Sequence, residues 1–373
     1  MLTVLTVIGT RPEAIKMAPV VRELRRRPAA VRPVVCVTGQ HRAMLDQTLG
    51  VFGIAPDCDL NVMQPDQTLS DLTARLLLGL DAVIREIRPA WVLAQGDTTT
   101  AMTAALAAYY HRIPFGHVEA GLRTGDRYRP FPEEMNRRIA DDLAHLLFAP
   151  TERARQALLR EGHAADDILV TGNTVIDALL AVAAQPYEWS AGPLAQIPND
   201  GRLVVVTAHR RESFGAALRA ICTAIRELAL QLTAEGVHFV YPVHLNPQVR
   251  QPVRELLGGL PNVHLLEPLD YVSFVHLMKR ATLILTDSGG IQEEAPGLGV
   301  PVLVMRDVTE RPEGVEAGVV RLVGTTCAQI VETTTLLLRD AAQRNAMATG
   351  VNPYGDGHSA ARIVAALLER TAT

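Results

Sequence analysis

The sequence predicts an α/β protein built from two doubly wound parallel sheets that face a cleft. Three observations lead there. Short apolar runs alternate with amphipathic stretches along the chain. The runs are apolar on both faces, as parallel strands covered by helices on both sides must be. And 373 residues are too many for one ordinary core, while the alternation lapses once, in "AQPYEWSAGPLAQIPND" (residues 184–200), before it restarts.

In the first half, strands are expected at 4–8, 34–37, 91–94, 115–118, 146–149 and 168–171, with helices at 12–26, 69–87 and 99–110. In the second half, strands are expected at 203–207, 238–242, 263–265, 283–286 and 302–305, with helices at 216–232, 249–257, 271–279 and 291–298. The stretch "GDGHSAARIVAALLERTAT" reads as one more amphipathic helix with no strand after it, so it is available to return to the first domain. The expected division is 1–171 plus 357–373 for one Rossmann-like domain and 172–356 for the other.

Composition narrows the classes. Hydrophobic residues make up 48% of the chain, yet no run approaches a membrane span and no signal-peptide pattern opens it. Four cysteines lie far apart, without CxxC spacing, as reduced thiols of a cytoplasmic protein would. A net charge of −4 gives no basic surface for nucleic acid. The 36 basic residues include only two lysines, Lys16 and Lys279, so Lys16 stands where a compact ammonium serves better than a planar fork.

Ligands of such folds gather at the carboxyl ends of the strands. After the first strand, "GTRPEAIK" places Arg11 and Lys16 near a helix N-terminus, which favours anions even though the same residues suit a solvated helix start. After "WVLAQ", Asp97 is either a helix cap or a functional carboxylate. After "PFGHV", Glu119 opens a long charged loop, and Pro132 leads into Glu133 and Glu134, with Arg137 spaced to pair with Glu133. His209 ends a strand among Arg210, Arg211 and Glu212, and His244 takes the equivalent place one strand later.

"LTDSGGIQEEAP" is the most telling turn. Ser288, Gly289 and Gly290 bring backbone N–H groups to a helix start, as a phosphate site needs. Glu293 and Glu294, expected in the first helical turn, cannot favour a phosphate, but a carboxylate there can accept from a ribose diol. Arg311 is positioned in sequence to balance phosphate charge. The residues thus indicate a nucleotide diphosphate held by the second domain and acid/base carboxylates (Asp97, Glu119, Glu133) in the first. GxGxxG, HExxH and P-loop patterns are absent, so neither metal nor cofactor is expected.

The segments "GTRPEAIKMAP", "TGQHR", "GDTTT", "HVEAGLRT", "PEEMNRR", "TGNTVIDAL", "TAHRRES", "YPVHLNP", "LTDSGGIQEEAP", "PVLVMRDVTERPEG" and "NPYGDG" run in order over nearly the whole chain. Together they closely resemble the bacterial non-hydrolysing UDP-N-acetylglucosamine 2-epimerases. The resemblance implies the glycosyltransferase-B fold, a homodimer, and interconversion of UDP-GlcNAc and UDP-ManNAc without metal or redox cofactor. It implies catalytic or diphosphate roles for Arg11, Lys16, Asp97, Glu119, Glu133, Arg137 and His209. It places Tyr271 and Phe274 near uracil, assigns Ser288, Gly289, Gly290, Glu294 and Arg311 to the UDP site, and leaves Glu293 structural.

The chemistry so implied removes UDP from C1 and a proton from C2, giving a bound 2-acetamidoglucal, then restores both with a proton on the other face. The same chemistry on a UDP-2,3-diacetamido uronic acid is the alternative. A glycosyltransferase, a hydrolysing epimerase and a nucleotide-sugar sensor are further rivals. Gln40, Glu134, Arg210 and His244 resemble parts of a second, activating UDP-GlcNAc site in the family. Ala43, Asp66 and Ser213 depart from residues that some members carry there, which implies weaker activation.

Overall fold

In a computed structural model, describing residues 1–39, 42–198 and 200–372, the chain divides into two units. The first holds Met1–Ala178 together with the residues from Tyr354 onward; the second holds Leu179–Pro353. Among the described residues no helix is long and apolar enough to cross a membrane.

The first unit runs β1 (Leu2–Ile8), α1 (Arg11–Arg25), β2 (Val31–Val37), α2 (Arg42–Val51), β3 (Cys58–Asp59), α3 (Leu69–Ile87), β4 (Trp91–Gln95), α4 (Thr99–Tyr110), β5 (Phe115–Val118), α5 (Glu133–Asp142), β6 (Leu146–Ala149), α6 (Glu152–Arg160), β7 (Ile168–Val170) and α7 (Thr174–Ala183). Its seven-stranded sheet has the order β3-β2-β1-β4-β5-β6-β7, with every pairing parallel. Leu5, Val7, Val92 and Phe115 meet a helix of small residues, α4, whose Ala101, Ala104, Ala105, Ala107 and Ala108 are all buried. Alanine lets that helix lie close to the strands without losing helix propensity.

The second unit runs β8 (Arg202–Thr207), α8 (Ala216–Leu232), β9 (Val237–Pro242), α9 (Pro247–Leu257), β10 (Val263–Leu266), α10 (Tyr271–Arg280), β11 (Leu283–Thr286), α11 (Gly289–Gly297), β12 (Val302–Val304), α12 (Pro312–Glu316), β13 (Val320–Leu322), α13 (Cys327–Arg339) and α14 (Ala341–Ala348). Its six parallel strands take the order β10-β9-β8-β11-β12-β13. Val204, Ile221, Phe239 and Leu285 are among its core residues.

The last helix, α15 (Ser359–Ala372), belongs to the first unit and packs on α1. The Trp91 indole N–H donates to Thr371 Oγ1 at 2.9 Å, and Asp177 accepts from the backbone N–H groups of Ser359 and Ala360 at 3.2 and 2.8 Å. The return of this helix matches the expectation. Strands β3 and β13, of two and three residues, were not expected.

Candidate functional site

Each sheet reverses its strand order once, at β1/β4 in the first unit and at β8/β11 in the second. Loops after these strands diverge, and the gap between them is where α/β sheets hold ligands. The predicted site residues collect at these two places.

In the first unit, Arg11 opens α1 and is exposed, while Lys16 is half-buried one turn on. The Lys16 ammonium is ion-paired with Glu119, which also accepts from Asn173 Nδ2 at 3.1 Å. Glu119 follows β5 with φ of 69°. A left-handed glutamate is costly, and a sheet keeps it only where the neighbours over-determine it. Asn173, just after β7, was missed by the sequence reading; its position after a strand was the available signal.

Asp97 is not a helix cap. Thr98 takes that place, its side chain accepting from Ala101 N at 3.2 Å. Asp97 is free to face Arg137, whose Nη2 donates to Asp97 Oδ2 at 2.6 Å, while Asn136 Nδ2 donates to the Asp97 carbonyl at 3.0 Å. The expected Glu133–Arg137 pair does not form. Arg137 instead joins Asp97 and, at 3.5 Å, Glu134, because the Asp97 turn offers an acceptor at its head. Glu133 Oε2 is buried with no hydrogen-bond partner among the described residues, which suits a carboxyl awaiting a ligand.

Glu134 is fully buried, and its oxygens accept from Thr124 N and Gly125 N at 3.1 and 3.2 Å. In this fold it anchors the long loop after β5. Gln40 lies outside the described residues.

A further carboxyl escaped the sequence reading. Glu13 is buried and accepts from Gly9 N and from Thr10 N, the latter at 3.0 Å, completing a capping box at α1. The Thr10-x-x-Glu13 spacing was the signal for it. Burial pushes the Glu13 carboxyl up to about 7 against its hydrogen bonds, and nearby Asp97 adds to the rise. A raised folded-state value means that its contribution to stability is complete below the ordinary glutamate range and is lost as pH rises through about 7. We therefore predict that Glu13→Gln, which mimics the neutral acid, flattens that pH dependence. Above pH 7 the variant is the more stable protein, by on the order of 3 kcal/mol. Denaturant midpoints of both proteins measured across this range check it; parallel pH curves contradict it.

In the second unit Asp287, fully buried after β11, ties two loops together. It accepts from His209 N at 2.9 Å and Arg210 N at 2.8 Å, and His209 Nδ1 lies 3.2 Å from its other oxygen. Burial pushes Asp287 up, but the His209 contacts and the two backbone donors outweigh it and hold the carboxyl below its ordinary value. His209 is thereby oriented with its ring exposed and stacked on His244 at a centroid distance of 5.6 Å.

Ser288 precedes α11 with extended backbone, and no side chain caps the helix. The first N–H groups of α11 are therefore available to an anion. A Cβ at Gly289 would lie 2.9 Å from Glu310 Oε1 and 3.2 Å from Arg210 Nη2, so a side chain there would displace the ends of both. Arg210 is ion-paired with Glu310, which also binds Arg306 at 2.6 Å.

The two glutamates of α11 separate cleanly. Because the helix begins at Gly289, both lie past its first turn, a correction to the expected start. Glu293 is buried and ion-paired with Arg311. The expected phosphate-balancing cation, Arg311, thus also holds a carboxylate of α11. Glu294 is half-buried, 3.7 Å from the Cβ position of Gly290. Tyr271 lies close by: burial pushes its hydroxyl far up, and the Glu294 charge adds to that. Phe274 is half-buried on the same helix, α10, whose N-cap Asp270 accepts from Ser273 N at 2.9 Å. Among the described residues no group of three or more His, Cys, Asp or Glu is placed to hold a metal ion.

The family model described as UDP-N-acetylglucosamine 2-epimerase matches residues 22–368. The UDP-N-acetylglucosamine 2-epimerase of Escherichia coli K12 is 55% identical over 370 residues, covering 98% of each chain. A crystal structure of the Neisseria meningitidis UDP-GlcNAc 2-epimerase bound to UDP-GlcNAc superposes with a TM-score of 0.85 at 46% identity, covering 99% of this chain and 100% of that one. The Methanocaldococcus jannaschii UDP-GlcNAc 2-epimerase gives a TM-score of 0.86 at 32% identity, with 99% and 100% covered. Such likeness extends through both units, carries the glycosyltransferase-B type of fold, and places the chain in the UDP-N-acetylglucosamine 2-epimerase family.

Proposed function

We propose that this protein interconverts UDP-GlcNAc and UDP-ManNAc by eliminating UDP to a bound 2-acetamidoglucal and adding it back. The observation that carries the reading is a pair of ion-paired carboxylates at strand ends of the first unit: Glu119 with Lys16 and Asp97 with Arg137. The C2 hydrogen of the sugar is too weakly acidic for a carboxylate alone. Departure of UDP from C1 leaves an oxocarbenium-like carbon, and the C2 proton then becomes acidic. The C1–O bond breaks with its electrons leaving on the diphosphate; the C2–H electrons form the glucal double bond; a carboxylate takes the proton.

In the reverse half, a proton adds to C2 from the opposite face and a diphosphate oxygen rejoins C1. Asp97, Glu119 and Glu133 are the candidates for the two faces. Arg11, Lys16 and His209 supply positive charge or hydrogen bonds to the departing diphosphate. The uncapped N-terminus of α11, with Ser288, Gly289 and Gly290, holds phosphate. Glu294 accepts from the ribose, and Tyr271 and Phe274 flank the base. Arg311 acts through Glu293, keeping α11 in place. The protein works as a homodimer, as its family typically does.

Incubation with UDP-GlcNAc in deuterated water, followed by proton NMR, tests this. The expected result is deuterium at C2 of both UDP-GlcNAc and UDP-ManNAc with UDP still attached. Absence of exchange sinks the proposal for this substrate and directs the same assay to UDP-2,3-diacetamido uronic acids. Free ManNAc in place of UDP-ManNAc identifies a hydrolysing enzyme instead.

A further inference from the structure

His117 lies in β5, two residues before Glu119, and no role has yet been given to it. It is fully buried. Its Nε2 is 2.8 Å from the Gly96 carbonyl, and its Nδ1 is 2.5 Å from Asp141 Oδ1. A carbonyl only accepts, so Nε2 carries a proton. Asp141 is also a pure acceptor: its other oxygen takes Arg123 Nη2 at 2.7 Å and Gly121 N at 3.2 Å. A carboxylate so surrounded by donors stays ionised, and Nδ1 must then donate as well. Both ring nitrogens carry hydrogen, and the ring is an imidazolium.

We propose that His117 is a positioning residue for the epimerisation: a buried, doubly donating imidazolium that fixes the turn presenting Asp97. The inference rests on the function proposed above. Gly96 has φ of 79°, and its N–H donates to Val118 O at 3.0 Å while its carbonyl is taken by His117. The next residue, Asp97, is held through its carbonyl by Asn136 and through its carboxylate by Arg137. Asn136, Arg137 and Asp141 all belong to α5. That helix therefore grips Asp97 directly through two side chains, Asn136 and Arg137, and the preceding carbonyl through His117. Two anchors flanking one peptide leave the carboxylate little freedom to drift, and proton transfer at C2 is sensitive to such drift.

The charged groups facing His117 are Asp141 from α5 and Arg123 from the loop after β5. Glu161, after α6, extends the chain by pairing with Arg123 at 2.5 Å. Arg138 of α5 also pairs with Glu161, at 3.5 Å, and the carboxylate directly on His117 is what makes its buried charge tolerable. Burial alone lowers an imidazole, but the Asp141 charge and the two acceptors outweigh it and hold His117 above its ordinary value.

Two variants separate the two ends of the ring. His117→Gln keeps a donor near the Nε2 position, toward Gly96; His117→Asn keeps one near the Nδ1 position, toward Asp141. The expected result is that His117→Asn lowers kcat about 100-fold with KM changed less than about threefold, and that His117→Gln recovers much of the loss. A change in KM alone, or equal kcat for both variants and wild type, overturns the proposal. Wild-type protein gives the second measurement: nitrogen-15 NMR of the histidine side chains at mildly alkaline pH. His117 is expected to show two protonated ring nitrogens there; a neutral tautomer overturns the proposal even where the variants do not fold. Wild-type exchange of deuterium into C2 is measured alongside. Its absence counts against the reaction, whereas the NMR signature counts only for or against the imidazolium.

Discussion

Glu119→Gln is expected to lower kcat by roughly 10²–10⁴-fold, the range for loss of a positioned general acid or base. The substitution keeps size and keeps an acceptor for Asn173 Nδ2, but it removes the charge that Lys16 faces. Lys16 then loses the charge of that carboxylate, so UDP binding is expected to hold or tighten while turnover falls. KM unchanged or lower with kcat reduced is therefore the signature of the role proposed for Glu119. A variant within threefold of wild type in kcat would falsify that role and shift the chemistry to Asp97 and Glu133. The exchange experiment adds detail: with one carboxylate per face, the variant loses deuterium incorporation starting from one epimer before the other.

Asp287→Ala is expected to destabilise the second unit by about 3–5 kcal/mol, because it removes a buried carboxylate and strands the donors that it satisfied. Those donors are the backbone N–H groups of His209 and Arg210, both in the loop after β8. The pH sign follows from the depressed value of Asp287. Its stabilisation is present above the ordinary aspartate range and is lost as pH falls through its lower, folded value. The gap between wild type and variant should be full at neutral pH and narrow in strong acid. Urea unfolding at both conditions reads this out; a gap that widens on acidification contradicts the account. Loss of His209 orientation should also cost activity in whatever fraction remains folded.

Much of this was legible in the primary structure because parallel sheets advertise themselves. Helices α3, α4 and α8 ended where the apolar period and their flanking residues placed them. Strand-end positions picked out Asp97, Glu119 and His209 because a carboxylate, or a histidine among charged neighbours, at the end of an apolar run has little structural reason to be there. What the sequence could not show is pairing across long intervals. Arg137 chose Asp97, 40 residues away, over Glu133, one turn away, because the i,i+4 rule describes an isolated helix and not one whose end meets a strand-end turn. The partners His117 and Asp141, 24 residues apart, are likewise joined only by the fold. Glu13 was hidden for a different reason: a capping box looks like local helix chemistry, and only burial beside Asp97 makes it titrate near neutrality.

The return of α15 to the first unit has a consequence for biosynthesis. A ribosome synthesises the whole of the second unit before it makes residues 354–372. The later-made unit can complete its sheet first, while the earlier one waits with Trp91 and the Asp177 carboxylate lacking the partners that α15 brings. During that interval the nascent first sheet exposes an apolar face that α15 will cover. Chaperone contacts on the emerging polypeptide should therefore concentrate on the first unit and persist until residues 359–372 have emerged.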